Sequence, residues 1–254
     1  MPRDPRIDEL ATDPDARVMV FVDGQNLYNA CRRTFGHPLC HPHLLAEHLA
    51  GARTRNRVAC RFYTGRPNPN IPHERRRVRN LDRRLNEMNR VGVTVIKRPL
   101  RYHWDWGHQQ PLPEPGPGVP PQTVTLTPWQ RPQEKGIDLA IALDVIEFAL
   151  VDSLDVAIIV SLDRDLAEIP NALRNLRPIL NRPVRLEAAV PVPPGRSDPK
   201  TLTGFAYTHQ ITEEVFELVR DDTDYTAPDR DWTPPALPRT LAERQPSRKS
   251  PGLP

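Results

Sequence analysis

VMVFVDGQN, residues 18–26, is the stretch from which the rest of the chain is best read. Five apolar residues, Val18 to Val22, run straight into Asp23-Gly24-Gln25-Asn26. An unbroken run of this length, rich in β-branched and aromatic residues, predicts a strand buried on both faces of a parallel sheet. Asp-Gly directly after it ends the strand and turns the chain. A carboxylate at the carboxyl tip of a central parallel strand lies where open α/β sheets collect ligands. Taken alone, Asp23 reads equally well as a turn residue.

Outward from this strand, apolar runs alternate between strand and helix periods. Val58–Tyr63, Val91–Ile96, Val156–Val160 and Val184–Val190 read as strands, the first closed by Gly65. Asn26–Arg33, Pro42–Leu49, Ile71–Asn89, Gly136–Val151, Leu166–Leu176 and Thr212–Arg220 read as helices. Pro170 is tolerable in the fifth of these because it falls in the first turn. This alternation predicts a three-layer, Rossmann-like α/β fold with a mainly parallel central sheet.

The 254 residues include 31 prolines, concentrated between Pro99 and Pro132 and after Pro228. Residues 1–16 read as a polar lead-in, 17–220 as one domain carrying a Pro-rich insertion at about 99–132, and 221–254 as a disordered tail. Val124–Leu126 is a candidate edge strand inside the insertion. The ordered unit is then roughly 180–190 residues, a normal single domain. No apolar leader or 18-residue apolar run is present, so a membrane partner is not expected and a cytoplasmic protein is. Cys31, Cys40 and Cys60 form no CxxC pair and read as free thiols of a reducing compartment.

Acids recur at strand ends. Asp23 closes the first strand, Asp163 and Asp165 follow Val156–Val160, and Asp138 opens the helix after Lys135-Gly136. If these ends are neighbours, four carboxylates meet at one sheet edge. Two unit charges about 5 Å apart repel by roughly 3 kcal/mol at an effective dielectric near 20. Four acids make six such pairs, which calls for a cation or raised pKa values. An oxygen-only donor set selects Mg²⁺ or Mn²⁺, able to activate water for attack on a phosphodiester. The plainer reading is that Asp165 caps a helix and Asp138 complements a helix dipole. Asp144, about 120° around the helix from Asp138, suits a supporting role.

FVDGQN (21–26), EKGIDLAIALD (134–144) and SLDRDL (161–166) resemble the three signature blocks of the NYN family, a branch of the PIN-like nucleases. The likeness spans about residues 17–220. It implies a PIN-like fold and a metal-dependent endonuclease, usually acting on RNA, with Asp23, Asp138, Asp163 and Asp165 as the metal-holding catalytic acids. Asn26 and Ser161 match polar residues of the same pocket. The third block departs from the commoner SGDSDF, with Leu162, Arg164 and Leu166 in place of Gly, Ser and Phe. Arg164 either pairs with its neighbouring acids or points outward to substrate phosphate.

The net charge of +3 falls short of a dedicated nucleic-acid binder. Arg75, Arg76, Arg77, Arg79, Arg83 and Arg84 nonetheless face one way on the Ile71–Asn89 helix, either as a phosphate track or as a solvated face. Arg98, Arg101, Tyr102, Trp104 and Trp106 suit either a stacking surface or a lid packed on the domain. Cys40-His41-Pro42-His43 fits no standard zinc spacing. No Gly-rich phosphate loop or nucleophile elbow is present.

The expected function is hydrolysis of RNA, single-stranded or structured, with Mg²⁺ or Mn²⁺. The alternative is a non-catalytic RNA-binding or regulatory module altered at SLDRDL. A TOPRIM-like or phosphatase-like enzyme lacks its catalytic Glu or DxDx[TV] block. A homo-oligomer is compatible with the sequence.

Overall fold

A computed structural model of the protein describes residues 5–53, 56, 58–105, 129–195 and 202–235. In chain order the elements are α1 (Pro5–Glu9), β1 (Val18–Asp23), α2 (Gly24–Phe35), α3 (Pro42–Ala50), β2 (Ala59–Arg66), α4 (Arg75–Arg90), β3 (Val93–Pro99), β4 (Arg101–Asp105), β5 (Trp129–Gln133), α5 (Ile137–Leu150), β6 (Val156–Val160), α6 (Ile169–Leu176), β7 (Arg185–Pro191), β8 (Tyr207–Ile211) and α7 (Glu213–Val219). Six strands form one sheet in the order β3-β2-β1-β6-β7-β8. Every pairing in it is parallel. The expected α/β architecture is the observed one.

The strand order reverses between β1 and β6. From β1 the chain steps outward through β2 and β3, then returns to β6 and steps the other way through β7 and β8. A crevice opens outside the carboxyl ends of the strands where the order reverses. Both flanking strands end in acid, Asp23 on β1 and Asp163 after β6. Val22 pairs with Val160 in the ladder, so the two tips are level.

The core lies on the two faces of this sheet. On one face Val20, Val22, Cys60, Phe62 and Ile158 pack with Leu27, Leu44, Leu45, Leu85 and Phe216 from α2, α3, α4 and α7. On the other, Phe21, Ala157 and Ile159 pack with Ile141 and Val145 of α5 and with Ile169 and Leu173 of α6. All five residues of β6 are buried, which explains their unbroken apolar run. Arg17 ties the amino ends of β1 and β6 together by donating to both carboxylate oxygens of Asp155.

Several boundaries differ from the sequence expectation. Gly65 does not close β2, because its ladder with β3 continues through Gly65 opposite Arg98 and Arg66 opposite Pro99. The helix expected from Ile71 starts as a 3-10 turn at Pro72–Glu74, and α4 proper begins at Arg75. The lead-in contains α1, whose Ile7 carbonyl accepts from buried Arg185. A sixth strand, β8, was not legible because YTHQI is half-exposed at the sheet edge and carries little apolar signal. In the Pro-rich insertion, β4 and β5 form an antiparallel ribbon with Pro132 opposite Tyr102. Proline is compatible there because each strand of a two-stranded ribbon is an edge. Val124–Leu126 and Trp106 lie outside the described residues.

The expectation of a disordered tail from Asp221 does not hold for the stretch up to Trp232. Asp221 and Tyr225 are buried, and the Tyr225 hydroxyl donates to Asp221. Arg83 of α4 donates to the carbonyls of Tyr225 and Ala227, and Trp232 lies over its guanidinium. The apolar residues of this stretch are too few for a periodic signal, yet α4 supplies partners for its backbone. Residues 236–254 lie outside the described part.

Candidate functional site

Asp23 occupies two roles at the tip of β1. As the cap of α2 its Oδ1 accepts from the Asn26 backbone N–H at 2.9 Å, satisfying one of the free donors of the helix start. Its Oδ2 accepts from the Ser161 hydroxyl at 3.3 Å. Gly24 allows the turn: a Cβ there would stand 2.5 Å from the Phe62 ring and 2.7 Å from the Tyr63 carbonyl. The turn reading of Asp23 is therefore correct as local structure, and the carboxylate still opens onto a cleft.

Short bonds join the two strand ends. Ser161 Oγ accepts from the Asp163 N–H at 3.1 Å, and Asn26 Oδ1 accepts from the Leu162 N–H at 3.0 Å. Asp163 in turn caps the following 3-10 turn by accepting from the Asp165 N–H at 3.0 Å. Gly136 starts α5 with φ +77, a left-handed conformation that favours glycine. That turn places Asp138 in the first turn of α5, facing the same cleft.

The cleft holds about 220 Å³, and its described lining includes the acids Asp23, Asp138, Asp163 and Glu134. Gln25, Asn26 and Asn29 of α2 line it too, with Gly136 and Ile137. No Lys or Arg is among the described lining residues. Burial first, then the charges of Asp138 and Asp163, push the Asp23 carboxyl up to about 6 against the hydrogen bonds from Asn26 and Ser161. Asp138 is also raised, by burial and by Asp163 and Asp165.

Glu134 is the residue that sequence reasoning missed. Burial, with the charges of Asp23 and Asp138, raises its carboxyl to about 7 despite the Gly65 backbone N–H. Its Oε1 is buried without a hydrogen-bond partner. Glu134 opens the EKGIDLAIALD block, so its position was on the page. What was lacking was the fact that β5 brings the chain into the cleft just before α5.

The other expected residues separate. Asp165 is exposed and lies outside the cleft lining, although its charge reaches Asp138. Arg164 is exposed and makes no ion pair with Asp163 or Asp165 among the described residues. Asp144 lies between sheet and α5, where it pairs with Arg61 and accepts from the Tyr63 hydroxyl. The arginines of α4 do not form one open track. Arg83 is nearly buried under the C-terminal segment, and Arg79 pairs with Asp229. Arg77 pairs with Glu74, and Arg84 reaches the Cys40 carbonyl over the Phe62 ring. Arg75 and Arg76 remain on the exposed side. Arg79 and Arg83 share a single exposed carboxylate, Asp229, within the expected phosphate-binding face.

The donors of the cleft are all oxygen, the chemistry of a hard divalent cation. Among the described residues no three His, Cys, Asp or Glu side chains converge into a ready metal cage. A hydrated Mg²⁺ does not need one, since it keeps several waters and takes one or two carboxylates. Burial raises these carboxyls first and the facing acids add to it, a balance that a bound cation would reverse. The residue set thus fits a hydrated cation. The three cysteines are buried and free, and no described helix is long and apolar enough to cross a membrane.

A crystal structure of a protein of unknown function from Vibrio parahaemolyticus is similar over 80% of this chain and 96% of that one, with 18% identity and a TM-score of 0.44. No curated protein matches the chain. The NYN domain model matches residues 17–179, which takes in β1, the cleft acids and α6. The chain belongs to the NYN domain family, a family of PIN-like nucleases.

Proposed function

We propose that the protein is a metal-dependent endoribonuclease that hydrolyses RNA phosphodiester bonds at the β1/β6 cleft. The observation that carries this reading is the meeting of Asp23, Glu134, Asp138 and Asp163 in one cleft at the reversal of strand order. A Mg²⁺ or Mn²⁺ ion would supply Lewis-acid and water-activating chemistry there. One or two of Asp23, Asp138 and Asp163 would hold it directly and the others through its waters, with Asp165 at the exposed rim. Asn26 and Ser161 keep Asp23 and Asp163 in register across the two strand tips. Glu134, raised to about 7, is suited to exchanging a proton near neutral pH.

Purified Asp23→Asn protein, incubated with end-labelled RNA and Mn²⁺, is expected to lose at least about 100-fold in cleavage rate, the scale of removing a key electrostatic group. Its circular dichroism should be unchanged, because Asn is as good a helix cap as Asp. Undiminished cleavage overturns the proposal. The second reading, a binding-only NYN module, rests on the departure of SLDRDL (161–166) from the family's third block. RNA retention without cleavage across Mg²⁺ and Mn²⁺ titrations would establish that second reading.

A further inference from the structure

The described residues that line the cleft are of two polar kinds, four carboxylates and the neutral amides of Gln25, Asn26 and Asn29 in the first turns of α2. Asn26 is committed, through its Oδ1, to the Leu162 N–H. Gln25 and Asn29 are four residues apart, hence neighbours on one face of α2. Both are exposed, and neither side chain has a hydrogen-bond partner among the described residues. Tyr28, three residues after Gln25, is 37% exposed with no ring or hydroxyl partner among them. Two uncommitted amides thus line the cleft, and an uncommitted aromatic ring stands next to them on the same stretch of α2, just outside the lining.

We infer that Gln25, Tyr28 and Asn29 form the wall that reads the sugar and base of a single-stranded RNA entering the cleft. This rests on the reading that the cleft takes RNA. An amide offers both donor and acceptor, and so does the ribose 2′-hydroxyl that separates RNA from DNA. A phenol ring gives an unstacked base a face to lie on. A neutral wall gives no reason for phosphate to dwell there, and the phosphate has a better place. Arg98 is exposed beside Gly136, a lining residue, its Nη1 3.9 Å from where a Cβ on Gly136 would stand. Its guanidinium has no ion-pair partner among the described residues. A strand crossing the cleft would then turn its phosphates to Arg98 and its sugars and bases to α2.

Binding of 5′-fluorescein 12-mers of one mixed sequence, as RNA and as DNA, to the full chain in EDTA tests this by anisotropy. EDTA separates the test from catalysis, so a failed cleavage assay leaves this result readable. The Gln25→Ala/Asn29→Ala variant should bind RNA about 5- to 10-fold more weakly, the scale of one or two hydrogen bonds, with DNA binding unchanged. Tyr28→Ala should weaken both strands, and Arg98→Ala should weaken both while lowering the salt slope by about one. Alanine is compatible with these exposed helical positions, and unchanged melting temperatures would verify the folds. Equal loss on RNA and DNA in the double-amide variant overturns the sugar-reading role. No loss on either, or no measurable binding of RNA by the unsubstituted protein, overturns the wall itself.

Discussion

Glu187 on β7 and Asp23 at the tip of β1 are both buried carboxylates of the same parallel sheet, 1% and 6% exposed. Their surroundings are opposite. Glu187 accepts two bonds from Arg53, one from Arg185 and shares another with His209. Although burial raises its pKa, those partners win and hold it down to about 2. Asp23 faces carboxylates, and burial with their charge carries it up to about 6. An acid whose charge is satisfied by the protein is a structural part. One whose charge is left for something else to satisfy is poised to bind it.

The largest effect should come from breaking the satisfied site. Glu187→Ala leaves Arg53 and Arg185, both buried, without their shared counter-charge. Chemical denaturation should show a loss of about 3–5 kcal/mol. A loss under about 1 kcal/mol would mean that water or a neighbouring acid replaces Glu187.

The two sites also titrate with opposite sign. Glu187 is depressed, so its contribution is present above its unfolded pKa near 4.5 and fades as pH falls toward about 2. Asp23 is raised, so the unfolded chain holds fewer protons than the folded one between about 4 and 6, and stability falls as pH rises through that window. In metal-free protein this fall should amount to about 1–3 kcal/mol, and Asp23→Asn should flatten it. A urea-midpoint series across pH 4–8 with no difference between the two proteins would contradict the raised pKa of Asp23.

Glu134→Gln should weaken Mg²⁺ or Mn²⁺ binding about 10-fold and shift its pH dependence. With wild-type protein, affinity should climb through pH 6–7, as the carboxyls near 6 and 7 release their protons. Calorimetric titration at pH 5.5 and 7.5 measures both, and equal affinity at the two values would remove Glu134 and Asp23 from the binding set. The smallest effect belongs to a third kind of acid. Asp229, 66% exposed in its pairs with Arg79 and Arg83, should cost under about 1 kcal/mol on conversion to Ala. A larger loss would show that the C-terminal segment depends on that contact to stay on α4.

Most of this was legible because the signals were local. VMVFV reads as a doubly buried strand from five residues, and Asp23, Asp138 and Asp163 each sit beside a strand or helix boundary visible in the sequence. The six-strand order was not stated by any short stretch, and β8 escaped because an edge strand need not be apolar. Glu134 was overlooked for a different reason. Its role depends on the β4–β5 ribbon returning the chain to the cleft, a tertiary event in a region whose prolines argue against strand. The arginines of α4 mislead in the reverse sense. Their spacing makes a charged stripe, but nothing in the helix announces that Tyr225, Ala227 and Asp229 cover part of it.

The ladder between β1 and β6 joins Val18 to Val156, and this long separation has a consequence for synthesis. Until Val156–Val160 has left the ribosome, β1 lacks one of its two neighbours and Asp23 lacks Ser161 and Asp163. The cleft is therefore assembled only once the chain has been synthesised through Asp163. An emerging chain carries VMVFV as an open strand edge, the kind of segment that invites association with other chains. Pulse-labelled ribosome-bound chains ending before residue 155 should be chaperone-bound, and those reaching past β7 released from it. The position of the cleft in the fold thus also sets when in the life of the chain it comes into being.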